Sequence, residues 1–331
     1  MSPIRRILVA VNDLRPIVRP VVRKSVQIAA GCNARLELFH CLSNPLSLDL
    51  AADGPRSLRK LELDLRQEAL QSLERIATMV RRANRKVTTA VEWDSPAYDA
   101  IIRRALKIKA DLIVASVHSG LNLLPGVMRL THWELVRHSP VPLLLIKSPR
   151  AYRNPAVLIA VDPSHAFSKP LRLDRELLQS GAALSRCLRG SVHAVHAYAP
   201  LVVGAVPAEA ITERALKQAR QRNKRTAQAQ LERALTGSHI AHSRRYLVGR
   251  HPIDAILQAA RRSRSAIVVM GAVSRSGFKR LLIGNTAESI LDELRCDALI
   301  IKPPRFRCRV PRAIRGPRLL VPPPEPWPGG Y

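Results

Sequence analysis

The chain reads IVVMGAVSRSGFKRLLIGNTAESIL from Ile267 to Leu291. This stretch predicts a strand, a loop and a helix in succession. Residues 267–270 are apolar without alternation, which is typical of a strand buried on both faces of a parallel sheet. Gly271 and Gly284 frame the loop, and the apolar periodicity after Gly284 indicates a helix. Because the first backbone N–H groups of a helix have no partners within it, a phosphate is the natural ligand for the start of this helix.

A related pattern lies 155 residues earlier in the chain. Residues 99–149 align without a gap to residues 254–304. Within them, Leu144-Leu-Ile-Lys147 corresponds to Leu299-Ile-Ile-Lys302. The first strands also correspond, because Ile7-Leu-Val-Ala-Val-Asn12 matches Val157-Leu-Ile-Ala-Val-Asp162. The sequence is therefore a tandem duplication, in agreement with the two domains that a length of 331 residues suggests.

Each half is predicted to contain five strands that alternate with four helices. The expected strands are residues 5–11, 35–41, 87–92, 111–116 and 142–147, then 156–161, 191–197, 243–248, 266–270 and 298–302. The expected helices are residues 17–31, 56–83, 96–109 and 130–138, then 170–188, 207–236, 252–263 and 285–294. Such alternation is typical of an α/β protein with right-handed crossovers and a parallel sheet covered by helices on both faces.

The glycine pattern resembles that of the universal stress protein family, and the duplication resembles its tandem, E-type members. Nucleotide-binding members carry two glycines separated by two residues, a third glycine nine residues later, and then serine or threonine. The corresponding residues here are Gly271, Ser274, Gly284 and Asn285. The resemblance implies two tandem five-stranded parallel-sheet domains that resemble adenine-nucleotide-binding domains, each with strand order 3-2-1-4-5. It also implies an internal pseudo-dimer in which the last strands, 142–147 and 298–302, meet.

By the same resemblance, a nucleotide site would lie in the second half, between its first and fourth strands. Asp162 would contact the adenine or the ribose, and the backbone of the four signature residues would contact the phosphates. Nearby cationic and hydroxyl side chains belong to Arg275, Lys279, Arg280 and Thr286. The expected ligand is ATP or a related adenine nucleotide, in the C-terminal domain only. The residues leave open whether that pocket is occupied.

The first half lacks this signature. Its aligned residues are Asn12, Ser116, Ser119, Arg129 and Leu130. None of them is glycine, and Arg129 and Leu130 would fill the space that a phosphate needs. We therefore expect no nucleotide there.

The predicted domain boundaries follow from the duplication. The first domain is residues 1–148 and the second domain is residues 156–304. The linker between them, residues 149–155, begins and ends with proline. Residues 305–331 form a basic, proline-rich tail without helical periodicity. We expect this tail to be extended or disordered. Whether it lies on the protein, on an anionic partner or in solvent stays open.

The charge is unusual, with 54 Lys and Arg against 25 Asp and Glu, a formal net charge of +29. Such a surface attracts polyanions in a salt-dependent way. The five cysteines include no Cys-x-x-Cys pair, which favours reduced thiols over a disulfide framework or a zinc site. Charged residues interrupt every apolar run, so no membrane span is expected, and a cytoplasmic location is the default.

Catalytic motifs are not recognisable. There is no Walker loop and no Gly-x-Ser-x-Gly elbow. His40 and His196 each end the second strand of their half and are expected to be structural. The resemblance implies a cytoplasmic stress-response protein, and the lack of a catalytic motif favours one that acts by binding, with slow ATP hydrolysis left open. The alternative is a basic interaction protein that docks on RNA, DNA or another anionic partner while both pockets stay unoccupied.

Overall fold

The computed structural model describes residues 3–43, 46–47, 55–83, 86–117, 131–164, 171–200, 213–272, 285–304, 306–316 and 319–320. The elements of the first half are β1 Arg6–Ala10, α1 Pro20–Cys32, β2 Arg35–Leu42, β3 Leu46–Ser47, α2 Pro55–Arg81, β4 Val87–Trp93, α3 Ala97–Lys107, β5 Leu112–Ser116, α4 Thr131–His138 and β6 Leu143–Ile146.

The second half repeats this order. Its elements are β7 Ala156–Val161, α5 Leu171–Cys187, β8 Ser191–Ala197, α6 Glu213–Ala234, β9 Arg245–Val248, α7 Pro252–Arg262, β10 Ile267–Gly271, α8 Asn285–Glu293 and β11 Asp297–Ile301, and β12 Leu319–Leu320 follows in the tail. The predicted helices and the long strands are all present, with ends shifted by a few residues. Helix α1 begins at Pro20 because proline suits the first helical turn, where its missing N–H is not needed.

Within each half the strand order is 3-2-1-4-5, with β4-β2-β1-β5-β6 in the first half and β9-β8-β7-β10-β11 in the second. The expected meeting of the last strands, 142–147 and 298–302, is present and makes the two half-sheets continuous. Strands β6 and β11 pair antiparallel, with Leu144 opposite Leu299, and join the halves into one ten-stranded sheet. This pairing satisfies two strand edges that would otherwise expose their backbone groups.

Both faces of the sheet are buried, which explains the uninterrupted apolar strands. Along β1, Ile7 and Val9 belong to one apolar core, and Leu8 and Ala10 belong to the other. The first core contains residues of α1, α2, α5 and α6, and the second contains residues of α3, α4, α7 and α8. The alternation of side chains along a strand therefore divides each apolar run between two cores.

A buried polar cluster joins the two halves. The Asp297 carboxylate lies 2.5 Å from Lys24 Nζ of α1 and 2.6 Å from the hydroxyl of Tyr152. Its other oxygen accepts the backbone N–H groups of Lys147 and Ser148, at 2.9 and 3.0 Å. Asp297 is fully buried and Lys24 is 1% exposed. The Asp297 carboxylate therefore connects β11 of the second half with α1, with the residues after β6 and with the linker.

The tail returns to the first half. Arg103 of α3 donates to the carbonyls of Pro311 and Ala313, at 3.5 and 3.3 Å. Further on, β12 pairs parallel with β3, so that Leu319 lies opposite Leu46. The sequence analysis predicted neither of these short strands. Residues 306–316 contain no helix or strand, and Pro311, Ala313 and Arg315 contact α3 and the residues before it. Residues 305, 317–318 and 321–331 of the predicted tail lie outside the described residues.

Candidate functional site

The crevice of the second half lies where β7 and β10 separate. The two strands pair in parallel from Val157–Ile267 to Ile159–Val269. In the first half, the equivalent pairing of β1 with β5 continues one residue further, to Ala10–Ala115. The second-half strands therefore separate earlier, at the end of the sheet where doubly wound proteins bind ligands.

Asp162 lies directly after β7, at the mouth of this crevice. Its backbone N–H faces both carboxylate oxygens of Asp174, at 3.2 and 3.3 Å, and Asp174 lies in the first turn of α5 and is 6% exposed. The hydroxyl of Ser164 donates to Asp162 Oδ1 at 2.7 Å. The Asp174 contacts hold the backbone of Asp162, and the Ser164 hydrogen bond orients its carboxylate. A carboxylate held in this way accepts hydrogen bonds from the hydroxyl groups of a sugar.

The other predicted residues of this site lie partly within the described structure. Gly271 is the last residue of β10 and lies opposite Ile301 of β11, beyond the last residue that pairs with β7. Asn285 and Thr286 are the first two residues of α8, as the sequence predicted. Ser274, Arg275, Lys279, Arg280 and Gly284 lie outside the described residues. The structure therefore brings together the end of β7 with Asp162 and the end of β10.

The first half has a different arrangement at the equivalent edge. Asn12 is exposed after β1, and the next residue, Asp13, forms ion pairs with Arg15 and Arg19 at 2.7 and 2.5 Å. The hydrogen bond from Arg15 holds the pKa of Asp13 well below its usual range. Ser116 ends β5, whereas Ser119, Arg129 and Leu130 lie outside the described residues. Asp13, the acid next to Asn12, is therefore already paired with two arginines of its own half.

Sequence reasoning missed an acidic cluster that contacts the tail. Asp94, after β4, is fully buried and forms an ion pair with Arg103. The same carboxylate accepts the backbone N–H of Arg315 at 3.1 Å. The Arg315 guanidinium lies 3.2 Å from Asp99, which is 3% exposed. Burial raises the pKa of Asp99, and the charge of Arg315 opposes that rise. Two features of the sequence could have indicated this contact. They are the arginines of the tail and the two acids, Asp94 and Asp99, near the start of α3.

The two histidines have the structural role that was predicted. His40 Nδ1 lies 2.7 Å from the carbonyl oxygen of Val11, and His196 Nδ1 lies 3.4 Å from that of Val161. Burial lowers the pKa of His40, and the hydrogen bond to the Val11 carbonyl opposes that change. In each half, the ring therefore supports the backbone just before Asn12 or Asp162.

Among the residues that the structure describes, no group of three His, Cys, Asp or Glu residues could hold a metal ion. In the same part of the chain, no helix is both long and apolar enough to cross a membrane.

The fold and the crevice define a duplicated, doubly wound α/β module. The model of the universal stress protein family matches residues 3–147 and 156–302, so the chain belongs to this family and contains two of its domains. It is 25% identical over 313 residues to universal stress protein E of Photorhabdus laumondii, covering 92% of this chain and 98% of that protein. Universal stress protein E of Escherichia coli K12 is 24% identical over 298 residues, which is 88% of this chain and 92% of that protein.

Solved structures show the same fold. A Pseudomonas aeruginosa structure described as a universal stress protein has a TM-score of 0.64 and 21% identity, over 91% of this chain and 94% of that one. A universal stress protein of Archaeoglobus fulgidus has a TM-score of 0.57 and 13% identity, over 90% and 98% of the two chains. At these identities the likeness establishes the architecture alone.

Proposed function

We propose that this protein serves the stress response by binding, and that its second half holds an adenine nucleotide such as ATP. The observation that carries the proposal is the oriented Asp162 carboxylate at the point where β7 and β10 separate. Asp162 would accept the ribose hydroxyls. The N-terminus of α8, which begins at Asn285, would supply backbone N–H groups to the phosphates.

Binding without efficient hydrolysis is consistent with the same geometry. Hydrolysis of a phosphoanhydride needs groups that position Mg²⁺ and the attacking water. Asp162 is oriented by a hydrogen bond from Ser164 to its Oδ1 atom, an arrangement that suits recognition of a hydroxyl group. We infer that the bound nucleotide would contact the segment between β10 and α8 and so change the surface that a partner meets.

The experiment compares equivalent residues of the two halves. The chain is purified without added nucleotide and denatured, and any released nucleotide is identified by mass spectrometry. Affinity for added ATP is measured by calorimetry. Asp162→Ala should reduce ATP affinity at least tenfold, because it removes the oriented acceptor. Asn12→Ala, at the equivalent position after β1, should leave the affinity unchanged.

A second variant tests the phosphate end of the site. Gly284→Asp should abolish binding, because it introduces a carboxylate next to the start of α8. If ATP affinity is the same in the wild type, Asp162→Ala and Gly284→Asp, the site assignment is wrong. If the wild type neither releases nor binds nucleotide, the proposed ligand is wrong.

A second candidate function, docking on a polyanion, is favoured by helix α6. The helix contains seven Lys and Arg residues and two Glu residues, and all seven basic side chains are exposed. Its buried residues are Ala227 and Leu231. Helix α2, its counterpart in the first half, buries five residues between Ala69 and Val80 in the core. Helix α6 therefore presents charge to solvent along most of its length.

A groove extends this basic surface. It has a volume of about 1330 Å³ between α5 and α6, and Arg186, Arg233 and Arg244 line it. Lys217, Arg220 and Lys224 lie on one face of α6, because they are spaced by three and four residues. The phosphate groups of a nucleic acid would match this charge.

Charge reversal on the two equivalent helices tests this candidate. Changing Lys217, Arg220 and Lys224 to Glu should weaken binding to a DNA duplex and reduce the slope of log affinity against log salt by up to about 3. The matched control changes Arg59, Lys60 and Arg75 of α2 to Glu, an equal change in net charge. Equal losses in the two triple variants would show that net charge, and not α6, determines binding.

A further inference from the structure

Two cysteines lie at equivalent positions of the duplicated halves. Cys32 is the last residue of α1, and Cys187, 155 residues later, is the last residue of α5. Each helix follows the first strand of its half, and the two helices pack against each other. The duplication therefore places two thiols where the halves meet.

The helices approach each other closely at this point. A Cβ atom on Gly31 would lie 1.7 Å from the carbonyl oxygen of Cys187 and 3.2 Å from its Cα atom. A side chain at position 31 would thus force the backbones apart. Glycine weakens a helix relative to alanine, but here it lets the residue before Cys32 touch the backbone of Cys187.

The two thiols interact directly, and each is free and partly exposed. Their mutual hydrogen bond raises the pKa of Cys32, and burial adds to that rise. The same hydrogen bond lowers the pKa of Cys187, and the charge of Arg186 contributes in the same direction. Cys187 is therefore the better thiolate of the pair, and the Cys32 thiol also donates a hydrogen bond to the carbonyl oxygen of Ile28 at 2.9 Å.

Two of the other cysteines, Cys41 and Cys296, have raised pKa values. Burial raises the pKa of Cys41 to about 12 and that of Cys296 to about 11. Both remain protonated thiols at neutral pH. Oxidation favours thiolates that solvent can reach, and of these four cysteines Cys187 is the one whose pKa is lowered.

We propose that Cys32 and Cys187 form an intramolecular disulfide when the protein meets a hydroperoxide, and that this bond locks the two halves together. The Cys187 thiolate attacks one peroxide oxygen, the O–O bond breaks, and the other oxygen leaves as water after it takes up a proton. Cys187 is then a sulfenic acid. The Cys32 sulfur attacks the Cys187 sulfur, the S–O bond breaks, and the hydroxyl leaves as water with the proton from Cys32. Two thiols lose two electrons in total, and one hydrogen peroxide becomes two waters.

The bond would change stability because of the loop that it closes. The loop runs from residue 32 to residue 187 and includes most of the first half, the linker and the start of the second half. A disulfide that closes a long loop restricts the unfolded chain strongly. The oxidised protein should therefore unfold at a higher denaturant concentration than the reduced protein.

The test uses the full native chain and hydrogen peroxide. After treatment, the peroxide is removed, the protein is denatured, and free thiols are alkylated with N-ethylmaleimide. Intact mass should show three alkylated thiols in place of the five of the reduced chain. Peptide mapping should recover Cys32 joined to Cys187, and dithiothreitol should restore all five thiols.

Single variants separate the roles of the two cysteines. After peroxide, Cys32→Ser should carry a sulfenic acid on Cys187 that dimedone labels, whereas Cys187→Ser should show no such label on Cys32. Cys308→Ser, the matched control, should form the disulfide as the wild type does. The proposal is overturned if all five wild-type thiols remain free, if mapping finds another pair or a bond between two chains, or if dimedone labels Cys32 instead.

Discussion

The carboxyl edges of the two half-sheets differ, although the halves share their strand order. In the first half, Asp94 and Asp99 are buried against Arg103 and the tail residue Arg315. In the second half, the equivalent positions of Asp94 and Arg103 are occupied by Gly249 and Gln258. Asp99 corresponds to Asp254, which is exposed, and Asp162 lies directly after β7 at the crevice. After a duplication, one copy can thus satisfy its edge with protein groups while the other keeps an edge suited to a ligand.

The largest predicted effect concerns Asp297, whose first-half equivalent is Pro142. Asp297→Ala should lower the free energy of unfolding by about 3–5 kcal/mol, because it leaves Lys24 charged and buried without its partner. Urea unfolding measures the change. Asp292→Ala, an exposed acid five residues earlier, should change stability by less than about 0.5 kcal/mol. Similar changes in the two variants would contradict a special role for the junction.

A second prediction contrasts Lys147 with its repeat equivalent Lys302. Lys147 Nζ donates to the carbonyls of Leu291 and Asp292, whereas Lys302 Nζ lies 4.9 Å from the centre of the Phe306 ring. Burial lowers the pKa of Lys302 to about 8 from 10.5. Between these values the unfolded chain holds a proton that the folded chain has lost, so stability should rise as pH rises from about 8 to 10.5.

Lys302→Met should remove the rise in stability between about pH 8 and 10.5. At pH 7 it should increase the free energy of unfolding by up to about 3 kcal/mol, because the buried charge is gone. Burial also lowers the pKa of Lys147, but Lys147→Met removes the bonds to the α8 carbonyls as well, so it should increase stability at pH 7 by less than Lys302→Met does. Urea unfolding at several pH values measures both. An unchanged pH profile in Lys302→Met would show that Lys302 is not the titrating group.

The smallest predicted effect concerns the tail. Arg315→Ala should lower stability by about 0.5–1 kcal/mol, since the ion pair with Asp99 is partly exposed. It should also raise the pKa of Asp99, because the opposing positive charge is lost; carbon-13 NMR of the carboxyl group measures that change. Arg312→Ala, three residues earlier and exposed, should change neither quantity. If both variants behave alike, the tail contact with Asp99 has no specific effect.

Short-range sequence patterns predicted most of the secondary structure. The strands from β7 to β11 were located within two residues, because fully buried strands have apolar runs that solvent-facing segments lack. The repeat then identified the same elements in the first half. For the site, the prediction placed Asp162 after β7 and Asn285 at the start of α8, as observed. It could not find Asp174 as the support of Asp162, since nothing local links the two.

The sequence by itself determined the duplicated α/β architecture and the loss of the glycine signature from the first half. These follow from periodicity and residue type over short windows, whereas the strand order of each half and the meeting of the last strands were expected from the family resemblance. Tertiary structure alone decided the antiparallel register of β6 with β11, the contacts of the tail with α3 and the meeting of Cys32 with Cys187. The buried Lys24–Asp297 pair spans 273 residues, and the Arg315–Asp94 bond spans 221. Contacts over such separations depend on how the two halves pack, and no local pattern encodes that packing.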